Sequence, residues 1–77
     1  MRDLDLVRAE IDRLRLQVGR QRREIVQLRR AGVPAAAAEA LLQRMLGTLE
    51  GLRQQREQLK LEEASRLPPR QRGARHA

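Results

Sequence analysis

Reaction chemistry has little to work with in this chain. The hydroxyls are Thr48 and Ser65, the only imidazole is His76, and there is no Cys. Nucleophilic catalysis needs a hydroxyl or thiol beside a positioned base. A lone His three residues after Gly73, in a Pro- and Arg-rich end, offers no such geometry. One His and no thiolate also make no zinc site. Carboxylates are present, but each has Arg neighbours, and a deep pocket is not expected in so small a helical object. The sequence therefore predicts no enzyme, no metal and no cofactor.

The chemistry the chain does carry is that of guanidinium. Of 17 basic residues, 16 are Arg, and the net charge is +7. Arg pairs bidentately with carboxylate or phosphate. Residues 1–31 hold nine Arg and five acids, residues 32–65 four bases and five acids, and residues 66–77 four Arg and no acid. Arg66, Arg70, Arg72 and Arg75 are thus the candidate phosphate-binding residues, since no carboxylate competes for them. Arg13, Arg20, Arg22, Arg23, Arg29 and Arg30 are further candidates, but acids are interleaved among them. Phe, Tyr and Trp are absent, so bases have nothing to stack on. Any nucleic-acid contact is expected to be non-specific.

These groups must be positioned by helices. In the first segment, steps of three and four residues pick out Leu4, Val7, Ile11, Leu14, Val18, Gln21, Ile25 and Leu28. Seven of those eight are apolar, which is a sustained a/d heptad repeat. The second segment gives Ala35, Ala38, Leu42, Met45, Leu49, Leu52, Arg56, Leu59 and Glu63, with Ala and then charge replacing large apolar groups at its ends. Leu41 and Leu46 widen its apolar face.

Between the segments stands Ala31-Gly32-Val33-Pro34. Gly32 suits the left-handed residue that ends a helix, and Arg29 and Arg30 favour the negative end of the dipole. Val33 is pushed from helical geometry by the proline after it. Pro34 fits the first position of a new helix. The heptad phase also shifts here. The tetrapeptide reads as a structural corner rather than a binding tip. Leu67-Pro68-Pro69 then ends the second helix, and the remaining basic tail has the composition of a disordered segment.

The flanking positions are sorted by charge. In the first segment e is Arg8, Arg15, Arg22 and Arg29, and g is Asp3, Glu10, Gln17 and Glu24. In the second, e is Glu39, Leu46, Arg53 and Lys60, and g is Leu41, Thr48, Gln55 and Glu62. An antiparallel hairpin sets e against e, which is good for Arg29 with Glu39 and poor for Arg15 near Arg53. A parallel pair of first helices from two chains would match Asp3, Glu10 and Glu24 with Arg8, Arg15 and Arg29. Local pairs along one helix are the plainer reading of the same charges. Gln21 reads as a register device in the seam, and Arg56 as a side chain that packs its stem and holds its head in water. Gly47 and Gly51, spaced as small-xxx-small, read as two exposed glycines rather than a helix contact.

Arg20-Gln21-Arg22, Ile25-Val26, Gly32, Ala38-Glu39-Ala40-Leu41-Leu42 and Arg56-Glu57 resemble motifs of short proteobacterial proteins of unknown function. The resemblance covers about half the chain, Arg20 to Leu59. It implies a helical hairpin and no known activity.

The expectation is an all-α antiparallel hairpin over residues 1–66, with helices about 2–31 and 34–66, a turn at 32–33, and a tail over 67–77. Two hairpins are expected to form a four-helix bundle. The seam residues Leu4, Val7, Ile11, Leu14, Val18, Gln21, Ile25, Leu28, Leu42, Met45, Leu49, Leu52, Arg56 and Leu59 are the candidate interface. The expected function is a protein–protein interaction or oligomerisation module, with a homo-oligomer and an unidentified protein as partners. The alternative is a nucleic-acid accessory protein that binds phosphates non-specifically. The charged N-terminus and the lack of any apolar run near ~20 residues predict a cytoplasmic protein without a membrane role.

Overall fold

The computed structural model describes residues 3–66. Two helices, α1 (Leu4–Arg30) and α2 (Ala36–Arg66), pack against each other as an antiparallel hairpin. The expected tail over 67–77 lies outside the described residues.

Helix α1 starts where the sequence supplies a cap. The Asp3 carboxylate accepts the Leu6 N–H at 2.9 Å, satisfying one of the donors that a helix start leaves open. Asp3, one of the charges flanking the seam, is therefore also the α1 N-cap, and it corrects the expected helix start near 2 to Leu4. Its 27 residues span about 40 Å at 1.5 Å per residue.

The end of α1 is a Schellman motif. Gly32 takes φ +71°, and its N–H donates to the Arg29 carbonyl at 3.1 Å. The Val33 N–H reaches back to Leu28 O at 2.9 Å. These are the two reversed bonds that close a helix through a left-handed residue. Val33 thus closes α1, and Pro34 and Ala35 follow before α2 begins.

The observed start corrects the expected start of the second helix, near 34. The first turn of α2 is tied by Glu39 N–H to Ala35 O at 2.9 Å, so Ala35 is the N-cap and Ala36 the first helical residue. Pro34 is not at the first helical position but precedes the cap. Its fixed φ directs the chain out of the turn. Ala35 has no side-chain acceptor, so α2 starts without the cap that Asp3 gives α1.

The core lies in two clusters along the seam. Near the corner, Val18, Ile25 and Leu42 are buried, with Ala35, Ala38, Met45 and Leu46 packed around them. Toward the chain ends, Val7, Ile11 and Leu49 are buried, with Leu14, Leu52 and Leu59 against them. Among the described residues only Val7 is completely enclosed. Leu4 and Leu28 are half-buried, and Glu63 at the end of the second seam is exposed.

Candidate interaction site

The seam residues are engaged within the chain. Every a and d position of α1 from Leu4 to Leu28 is buried or half-buried, and so is each of the second seam from Ala35, the α2 cap, to Leu59. The surfaces left for a partner are those beside the seam, and two grooves show how they are composed.

One groove, of about 450 Å³, is lined by Arg22, Ile25, Val26, Arg29, Glu39, Leu42 and Gln43. Apart from the core residues Ile25 and Leu42, all are e or b positions. The other groove, of about 300 Å³, is lined by Glu10, Arg13, Leu14, Gln17, Thr48 and Leu52. Apart from Leu14 and Leu52, these are g or c positions. The two helices thus form a slab with a front (e and b of both helices) and a back (g and c).

On the front, Arg29 donates through Nη2 to Glu39 Oε2, joining α1 to α2. The Arg29–Glu39 match read from the heptad is made inside the chain. Another groove, on α1 alone, is lined by Arg22, Arg23, Val26, Gln27 and Arg30. Val26 is 44% exposed there, with Arg22, Arg23, Arg29 and Arg30 at i−4, i−3, i+3 and i+4, the helical neighbours on its own face.

Two polar side chains enter the seam, with opposite consequences. Gln21 donates through Nε2 to the backbone carbonyl of Ala38 at 2.9 Å in a partly buried setting. A carbonyl oxygen has two lone pairs, so it can accept this bond beside a helical one. Ala38 has only a methyl group, which lets the amide reach the α2 backbone. Arg56 behaves differently. Its Nε is buried without a hydrogen bond, although Glu57 Oε2 lies 3.4 Å away. That distance is an ion pair's, but the angle of a hydrogen bond is missing. The side chain is 34% exposed, so stem and Nε are packed while the outer guanidinium reaches solvent.

The reactive groups are placed as follows. Thr48 Oγ1 donates to Arg44 O at 3.1 Å, one turn back in its own helix. Ser65 is exposed at the end of α2. His76, Arg70, Arg72 and Arg75 lie outside the described residues, and Arg66 is exposed. Among the described residues, no three metal-type ligands converge, and no helix is long and apolar enough to cross a membrane. Gly47 and Gly51 face open space, with nothing within 4 Å of where a Cβ would stand.

Two features went unread in the sequence. The acceptor for Gln21 is a backbone atom, so no residue type announced it; the small residues Ala35 and Ala38 were the available signal. The Asp3 cap had a signal, an Asp just before the first apolar position, but was read as a flanking charge.

No protein-family model, curated protein or solved structure matches the chain.

Proposed function

We propose that the chain is a non-enzymatic protein–protein interaction module of coiled-coil type that associates with itself. The observation that carries this reading is what remains outside the closed seam. Leu6, Leu16, Val26, Leu41 and Leu61 are each more than 40% exposed, while among the described residues only six are buried in the core. Scattered exposed apolar residues are ordinary on a large protein. On a two-helix slab, Val26 lies on the front and Leu6 and Leu41 on the back, where a further helix would cover them, while Leu16 and Leu61 stand on the outer edges. Sedimentation equilibrium at micromolar concentration, with helicity followed by circular dichroism, tests the reading. Dimers or larger species are expected, and a stable helical monomer throughout would overturn it.

A second reading is favoured by one specific observation. The corner half of the hairpin, residues 18–46, holds six Arg against two acids, net +4. Residues 3–17 sum to −1 and residues 47–66 to zero. In this reading the chain is a nucleic-acid accessory protein, and Arg20, Arg22, Arg23 and Arg30 meet phosphates. Four such contacts give a log–log salt slope of roughly −3 to −4 on duplex DNA. Salt-titrated binding to duplex and single strands measures it. A slope that persists after deletion beyond Arg66 assigns the contacts to the helices. Absence of binding at physiological salt removes this reading.

A further inference from the structure

The geometry points to a mode of self-association in which the front of one hairpin lies on the back of the next, as a stack rather than a symmetric bundle. This rests on the interaction-module reading above and names its partner as a second copy of the chain. The two faces differ in charge. The front carries Arg8, Arg15, Arg22 and Arg29 from α1 and Arg53 and Lys60 from α2. Glu39 is the one acid in the same two rows, and it is joined to Arg29. The back carries Asp3, Glu10, Glu24 and Glu62 in the corresponding rows and no base.

The outer rows reverse the pattern. Beside the front row stand Asp5, Asp12, Glu50 and Glu57; beside the back row stand Arg13, Arg20 and Arg44. Front and back are therefore opposites in both their inner and outer rows. The groove linings place these rows on two separate sides of the slab, because Arg22, Arg29 and Glu39 share one groove and Glu10, Gln17 and Thr48 share the other.

Symmetry then decides between arrangements. A two-fold dimer brings the same patch of each subunit together. With two slabs aligned, front on front sets Arg row against Arg row and acidic rim against acidic rim. Back on back sets acid against acid. Both bring mostly like charges together, Glu39 being the exception on the front. Front on back is attractive in every row. In an unshifted parallel stack Arg8 lies between Asp3 and Glu10 of the neighbour, Arg15 follows Glu10, and Arg22 precedes Glu24. Apolar groups also meet this surface from both sides: Val26 and half-buried Leu46 from the front, Leu41 and Leu6 from the back. A heterologous contact of this kind closes into a ring or continues as a filament.

The test uses the full chain and two charge-reversed variants. The first, Arg15→Glu, Arg22→Glu and Arg53→Glu, makes the front acidic like the back. The second, Glu10→Arg, Glu24→Arg and Glu62→Arg, makes the back basic like the front. Circular dichroism verifies that each remains helical, and conservative Gln versions of both sets replace any that does not. Sedimentation velocity in low and high salt is then read for each variant alone and for their equimolar mixture. Wild type is expected to form species larger than dimers that dissociate as salt rises. Each variant alone should associate at least tenfold more weakly, and the mixture should regain association in a one-to-one ratio. For Gln versions, which lack the reversed charge, only the weakening is expected. Undiminished association of both variants, or reversed variants that fail to complement, overturns the stack while leaving self-association through another surface. A wild type that is monomeric in low salt overturns both. If that monomeric wild type binds duplex DNA and the first variant does not, the Arg rows belong to phosphates instead.

Discussion

The two halves of the hairpin are built from the same heptad but held by different means. At the corner, directional bonds tie α1 to α2 or close the turn: Gln21 to Ala38 O, Arg29 to Glu39, and the paired reversed bonds around Gly32. Toward the chain ends, Val7, Ile11 and Leu49 are joined by apolar packing, and the polar residue that enters the seam, Arg56, leaves its Nε without a hydrogen bond. Apolar packing is non-directional and tolerates sliding, whereas a hydrogen bond to one carbonyl does not. The comparison assigns register to the corner and bulk stabilisation to both halves.

The largest effects should come from opening either core cluster. Ile11→Ala and Ile25→Ala each remove a nearly enclosed side chain and should cost about 2–4 kcal/mol, read as a lower urea midpoint. Amide exchange separates the halves. Ile11→Ala should expose the chain-end half while the corner amides stay protected, because the corner keeps its directional bonds. Ile25→Ala should weaken protection throughout, since the register bonds lie in the cluster it opens. Equal loss in both halves for both variants would make the hairpin one cooperative unit.

Next come the glycines of α2. Gly47 and Gly51 stand in a helix interior with open space where a Cβ would go. Replacing each by Ala should raise stability by about 0.5–1 kcal/mol, the helical cost of glycine. A thermal melt of the double variant measures the sum. Stabilisation of the fold with loss of self-association would mean that the glycines admit a neighbouring helix.

The two seam positions occupied by polar residues give a sharper contrast, because one substitution can be made at both. Arg56→Leu removes a buried donor that has no hydrogen bond, and should stabilise by about 1 kcal/mol. Gln21→Leu gains apolar contact but loses a satisfied bond worth about 1 kcal/mol, so the melting temperature should barely move. Spin labels at Arg13 and Gln54 should instead show a broader range of separations, because the register bond is gone. A large stabilisation by Gln21→Leu with no broadening would assign register to the corner turn alone.

How much of this was legible follows from what each feature depends on. The seam could be read because its signal is periodic and carried by many side chains. Every α1 position from Leu4 to Leu28 picked by steps of three and four is at least half-buried. The corner could be read because Gly32 and Pro34 restrict the backbone directly. The start of α2 was misplaced by two residues because the sequence shows that Val33 precedes a proline, but not that its N–H closes α1. The Arg29–Glu39 pair was legible because antiparallel packing brings those e rows together. The separation of front from back needed the grooves, since positions seven residues apart share a side only once both helices are placed.

The smallest predicted effect concerns that pair, and it tests whether the corner's ionic bond contributes beyond its geometry. Both side chains are largely in water, Arg29 65% and Glu39 42% exposed. Solvent at such sites screens attraction, and ordering two long side chains costs entropy. A double-mutant cycle of Arg29→Met and Glu39→Gln should therefore give a coupling of about 0.5 kcal/mol in dilute buffer. In 1 M salt the Debye length falls to about 3 Å, and the coupling should fall toward zero. The Gln21 bond is neutral and partly buried, so Gln21→Ala should cost about 1 kcal/mol at both ionic strengths. If the ionic coupling survives salt unchanged, the Arg29–Glu39 contact acts as a geometric hydrogen bond, and the corner holds two register devices. If it disappears while the Gln21 effect persists, register rests on one amide and one carbonyl. Charge at Arg29 is then free to exchange between Glu39 and an acid on a neighbouring copy.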